Sequence, residues 1–198
     1  FLFWYIGNYY YTLCNKLALN AAGGIDGFPF TIAMGQLLVG VIYALFLWCA
    51  PDARAFPAIT LDDFVRMIPV GICAAGAHAA SVFSMGAGAV SFAQIVKAAE
   101  PAFAALLGTL FYNKRISKAK WLCLIPVIGG VCLASATELD FAVSALVSAC
   151  IANVFAALRS NENRKLMEAP GLKDRVGSVG NQFATSVVIA FLSLLPIW

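Results

Sequence analysis

Charge is scarce in this chain. Of its 198 residues only 12% are Asp, Glu, Lys or Arg, and histidine occurs once, as His78. The formal net charge of +3 is spread too thinly for the dense basic face that grips a polyphosphate backbone, so no nucleic-acid partner is expected. One histidine and scattered carboxylates supply neither a nucleophile–base set nor a metal shell, which argues against an enzyme and leaves no metal or cofactor expected. The six cysteines, Cys14, Cys49, Cys73, Cys123, Cys132 and Cys150, have no CxxC or Cys/His spacing and read as packing residues. Period-two alternation, the mark of strands, is missing throughout. So is a cleavable signal or transit segment: the chain opens on Phe1-Leu2-Phe3-Trp4-Tyr5, without methionine, and its N-terminus is expected to be processed or missing.

What is abundant is apolar sequence. Hydrophobic residues make up 62% of the chain and the mean hydropathy is +0.85, the profile of an all-α polytopic membrane protein with the lipid bilayer as solvent. Seven apolar segments can be read, at about 1–19, 28–50, 66–87, 89–112, 120–137, 141–159 and 179–198. Each is long enough to approach the roughly 30 Å of hydrocarbon at about 1.5 Å per residue. Ala22-Gly23-Gly24, Asp26-Gly27, Pro51-Asp52 and Ala169-Pro170-Gly171 punctuate the connections. Gly86, Gly88, Gly129 and Gly130 permit close backbone approach.

With seven alternating spans, one face collects Arg54, Arg66, Lys114, Arg115, Lys118, Lys120, Arg164, Lys165, Lys173 and Arg175, together with the N-terminus. The opposite face holds Asp26, Glu138 and Asp140, with Lys16 at its edge. The positive-inside rule places the basic face on the side of synthesis. Five segments over 1–137 form a first repeat, and 141–198 read as the start of a second. An odd-numbered repeat inverts its successor, a transporter plan, and the chain is expected to be a fragment of it.

Polar residues inside the spans carry the functional signal. A charge near the bilayer centre costs roughly 3 kcal/mol on insertion scales, so Lys97 and Glu100 within the fourth segment call for a reason. His78 and Ser81 are three residues apart in the third segment, as Lys97 and Glu100 are in the fourth, so each pair shares a helix face. Both pairs fall in the middle third of the bilayer by helical rise. A lysine ammonium with histidine and hydroxyl donors suits an anionic solute. Other readings stay open: a structural Lys97–Glu100 pair, with Glu100 as charge partner; a packing role for His78; Ser81 bonded to its own helix; and Arg159, at the end of the sixth segment, snorkelling to the interface.

The run Val90-Ser91-Phe92-Ala93-Gln94-Ile95-Val96-Lys97-Ala98-Ala99-Glu100-Pro101 resembles the fourth-helix signature of the plastid phosphate translocators, the triose-phosphate/phosphate antiporters of the drug/metabolite transporter superfamily. Asn15-Lys16, Leu38-Val39-Gly40-Val41, Gly129-Gly130-Val131, Ala134-Ser135-Ala136-Thr137-Glu138, Asn153-Val154-Phe155 and Arg159 extend the similarity, in order, from about Asn8 to Met167. The resemblance implies a ten-helix bundle of two inverted five-helix halves in the inner plastid envelope. It implies exchange of inorganic phosphate for phosphorylated three-carbon compounds, with no obligatory protein partner. It assigns substrate binding to Lys97, His78, Ser81 and Arg159, the phosphate lying against Lys97. Two departures stand out: the family often has threonine at Ser81 and Thr-His at Ala93-Gln94. The tyrosine and the lysine–arginine pair that the family's second half brings to the site do not follow Trp198, so half a pocket is expected here. A nucleotide-sugar or other drug/metabolite carrier is the alternative transporter reading, with a membrane-embedded enzyme or scaffold behind it.

Overall fold

A computed structural model describes residues 1–50, 54–137 and 142–198. Among these the regular structure is helical: α1 (Leu2–Ala21), a 3-10 turn (Gly24–Asp26), α2 (Pro29–Cys49), α3 (Leu61–Ala87), α4 (Val90–Lys97), α5 (Glu100–Tyr112), α6 (Lys118–Thr137), α7 (Val143–Met167), α8 (Leu172–Val176) and α9 (Val179–Leu194). Pro51-Asp52, Glu138, Asp140 and the expected boundary between the two repeats lie outside the described residues.

Local chemistry explains the ends. Pro29 opens α2 at a first-turn position where its missing N–H costs nothing. Thr60 and Asp63 form a reciprocal capping box at the start of α3. Ser178 accepts the Asn181 N–H at the start of α9, at 3.1 Å. Asn113, in the left-handed region at φ 48°, stops α5.

Five segments are long and apolar enough to cross a membrane: Pro29–Cys49, Leu61–Ala87, Val90–Tyr112 taken as one span, Lys118–Thr137 and Val143–Met167. The expected count of seven is therefore met only in part. α1 carries too many polar side chains to qualify by hydropathy, and α9, with 16 residues, covers only about 24 Å at the helical rise. The other differences bear on the site. The sixth expected segment does not end at Arg159 but continues to Met167, and the fourth is divided in two at Ala98-Ala99.

The centre of the molecule is the long contact of α3 with α7. Its seam is made of small residues, as membrane helices require when neither lipid nor helix is more apolar than the other. Ala145, Ala149, Ala152 and Ala156 form a buried stripe on α7, at the i, i+4, i+7, i+11 spacing of one helix face. A Cβ on Gly76 would stand 2.8 Å from the Phe155 ring. The Ser84 hydroxyl donates to the Ala145 carbonyl across the seam at 2.9 Å. α9 lies against α3 with the same closeness: a Cβ on Gly71 would fall 2.2 Å from Ile189 Cγ2. α6, by contrast, has no fully buried residue. The cysteine expectation holds for part-buried Cys73 and Cys150, whereas Cys14, Cys49, Cys123 and Cys132 sit on exposed faces, all as free thiols.

On the basic end, Arg175 in α8 donates two hydrogen bonds to Asp63, from Nε to Oδ2 at 2.7 Å and from Nη2 to Oδ1 at 2.6 Å. Asp63 is buried. The capping carboxylate of α3 thus also anchors the connection after α7.

Candidate functional site

The fourth span breaks next to Pro101, where its sequence weakens the helical ladder. Proline has no N–H, so Pro101 cannot donate to the Lys97 carbonyl one turn earlier, and its ring crowds that oxygen. α4 accordingly ends at Lys97, Ala98 and Ala99 form a turn, and α5 begins at Glu100. The charges suit these ends. Lys97 occupies the last turn of α4 and Glu100 the first turn of α5, each opposite in sign to the partial charge of its helix terminus.

Both residues line a cavity of about 470 Å³ bounded by α1, α3, the α4–α5 break and α7. His78 and Ser81 reach it from α3 and Arg159 from α7. The structure therefore brings together the five residues expected from sequence, Lys97, His78, Ser81, Arg159 and Glu100, around one space. Lys97 and Glu100 share it without an ion pair: among the described residues the pairs within 4.0 Å are Arg66–Asp62, Arg164–Glu168 and Arg175–Asp63. The Ser81 hydroxyl donates to the Ala77 carbonyl at 2.7 Å, which leaves its oxygen lone pairs to face the cavity. His78 Nε2 is buried without a hydrogen-bond partner, a polar atom with unused capacity at the edge of a polar space.

Arg159 lies eight residues before the end of α7 at Met167, about 12 Å along the axis. That depth makes it a cavity residue rather than one that merely ends a span. A second cavity of about 260 Å³ shares Glu100 and Arg159 with the first and extends past Ser160 and Asn163 to Gln182 on α9. The two side chains stand where the spaces meet.

Sequence reasoning passed over the polar face of α1. Asn8, Tyr11 and Thr12 line the cavity, and with Asn15 they repeat at i, i+3, i+4 and i+7, a legible signal inside an apolar segment. From that face a chain of bonds runs toward the far end of α3. Tyr11 donates to Gln36 at 3.0 Å, Gln36 to Asn15 at 2.8 Å, and Lys16 Nζ to the Met85 and Gly88 carbonyls at 2.8 Å each. These last bonds satisfy carbonyls left open where α3 ends.

A cavity with two cations, one carboxylate and hydroxyl, amide and imidazole groups can hold a small anion. The model of the Triose-phosphate Transporter family matches residues 1–198. The chain belongs to that family. It is 35% identical over 166 residues to the triose phosphate/phosphate translocator, chloroplastic, of Brassica oleracea var. botrytis, a match covering 84% of this chain and 40% of that protein. Glucose-6-phosphate/phosphate translocator 2, chloroplastic, of Arabidopsis thaliana is 30% identical over 196 residues, covering 99% and 48% of the two chains. Phosphoenolpyruvate/phosphate translocator 1, chloroplastic, of Oryza sativa subsp. japonica is 30% identical over 194 residues, covering 98% and 46%. The chain thus spans less than half the length of these curated relatives. It is a multi-pass member of a transporter family whose regular structure, among the described residues, is helical.

Proposed function

We propose that this chain forms part of an antiporter of the plastid envelope that exchanges inorganic phosphate for phosphorylated three-carbon metabolites by alternating access. The observation that carries the reading is the convergence of Lys97, Arg159, His78 and Ser81 on one intramembrane cavity. Cations within membrane-spanning helices are costly in a bilayer and are retained where a water-filled pathway for an anion uses them. Small-ligand sites run from roughly 300 to 1,000 Å³, and the cavity of about 470 Å³ falls within that range.

In this reading Lys97 meets the phosphate, because a compact ammonium on a flexible stem can follow a tetrahedral anion as the bundle moves. Arg159 and His78 face the organic part, and Ser81 contributes its hydroxyl. With Glu100 counted against the two cations, the lining carries one net positive charge, too little for a divalent phosphate. The family resemblance implies that a second inverted five-helix half supplies the rest, completing a ten-helix bundle around a midplane site. The membrane is then the inner envelope.

The test is labelled phosphate uptake into proteoliposomes carrying the longest chain its gene encodes, preloaded in turn with triose phosphate, 3-phosphoglycerate, phosphoenolpyruvate, glucose 6-phosphate or a nucleotide sugar. Three-carbon phosphates are expected to drive the fastest uptake. Uptake driven only by the nucleotide sugar would replace the reading with the nucleotide-sugar alternative.

A further inference from the structure

The broken fourth span has a keeper on another helix. Asn153 of α7 is fully buried at 0% exposure, beside the part of α7 where Ala145 and Ala149 pack with Phe92 and Val96 of α4. Its Nδ2 donates to the Val96 carbonyl at 2.8 Å. Val96 is the residue before Lys97, and its carbonyl stands at the break, where it also accepts the Ala99 N–H at 3.0 Å in the tighter, one-residue-shorter pattern of a closing turn. A regular helix would give that carbonyl the Glu100 N–H instead.

A fully buried amide in an apolar seam is unfavourable unless it is bonded, and here the bonding is one-sided. Asn153 Oδ1 has no hydrogen-bond partner. Alanine serves at the neighbouring buried positions 149, 152, 156 and 157 of α7, so close packing alone does not call for an amide. What the amide serves is the Val96 carbonyl, which the Ala98-Ala99 turn takes out of the regular helical ladder. Asn153 is not among the residues that line the cavity, whereas Lys97, one peptide away from its partner, is.

We infer that Asn153 is a positioning residue for phosphate recognition: it clamps the turn that ends α4 and thereby sets the direction in which Lys97 enters the cavity. The inference rests on the proposed phosphate exchange. It links α7, which carries Arg159, to the segment that carries Lys97, so that both cations of the site keep their separation through a bond that never touches the ligand. A side chain that lacks the donor leaves the Val96 carbonyl buried and half-satisfied, and the turn relaxes toward other conformers. Fewer molecules then present Lys97 correctly, and affinity falls by that fraction.

The experiment measures KM and maximal rate for phosphate/phosphate exchange in proteoliposomes carrying the longest chain its gene encodes. Asn153→Ala is expected to raise the phosphate KM roughly tenfold, the order lost with one buried hydrogen bond, while the maximal rate per inserted molecule stays within about a factor of two of wild type by the same population argument. A merely structural asparagine would lower the amount of folded carrier and hence the maximal rate, with KM unchanged, and that result overturns the inference. Asn153→Asp keeps the shape and donates only when protonated. Its KM, divided by that of wild type at the same pH, is expected to approach one under mildly acid conditions and to rise under alkaline ones; a pH-independent ratio overturns the inference even where the alanine variant does not insert. If wild type itself exchanges no phosphate, the proposed function fails and takes this inference with it. If wild type exchanges phosphate and both variants match its KM, this inference alone fails.

Discussion

Replacing Lys97 by alanine removes the group on which the account leans most. Lys97 is the cation at the end of α4, exposed to the cavity rather than enclosed by neighbours, and among the described residues it is held by no ion pair. Its loss should therefore cost the fold little, and insertion should match wild type. A charged hydrogen bond is worth about 1.5–3 kcal/mol, and tenfold in binding corresponds to about 1.4 kcal/mol. Lys97→Ala is thus expected to weaken phosphate by roughly 10- to 150-fold, toward the upper end because the lining's net charge falls from one positive to zero. The assay is concentration-dependent uptake of labelled phosphate into preloaded proteoliposomes, corrected for inserted protein. Lys97→Arg should be impaired as well, since a planar fork does not reproduce a point charge on a flexible stem. Phosphate KM and rate both unchanged in Lys97→Ala would refute the reasoning.

Other expectations follow from single contacts. Glu100→Gln should allow phosphate efflux into medium without counter-substrate, because a carboxylate in the cavity can neutralise Lys97 when the site is empty; tight coupling in that variant, measured as efflux with and without counter-substrate, would leave the carboxylate without that role. Ser81→Thr should retain exchange and Ser81→Ala should lose part of it, as the uptake rate per inserted molecule reports, since only the hydroxyl is common to serine and threonine. Gly71→Ala sets a methyl 2.2 Å from Ile189 Cγ2 and should destabilise the α3–α9 contact by about 1–3 kcal/mol, a loss that Ile189→Ala in the same chain should partly reverse in thermal unfolding. Asp63→Asn removes the acceptor that both caps α3 and receives Arg175; a lower melting temperature without a change in phosphate KM is expected.

The pair His78/Ser81 was legible because i, i+3 spacing puts both on one face of the continuous α3, whereas Lys97 and Glu100 do not share a helix face as expected and reach the same cavity from either side of the α4–α5 break. Arg159 was legible as a residue but not in its depth, since charged Arg159, Glu162, Arg164 and Lys165 make the second half of α7 look like a connection although it remains helical to Met167. The division of the fourth span was not legible either. Pro101 reads as a tolerated kink, and the two alanines beside it are strong helix formers; whether such a helix bends or breaks depends on what a neighbour offers its freed carbonyls. That neighbour is Asn153, fifty-seven positions away from Val96, and no local pattern connects them. The polar face of α1 could have been found from its periodicity.

One measurement tests the central claim most directly: the stoichiometry of exchange, with labelled phosphate followed inward and a labelled three-carbon phosphate followed outward from the same proteoliposomes. The account predicts one-for-one movement, with both fluxes reduced together by Lys97→Ala at subsaturating phosphate and absent from vesicles loaded with neither phosphate nor organic phosphate. Phosphate entry into empty vesicles at the rate seen in loaded ones would contradict it.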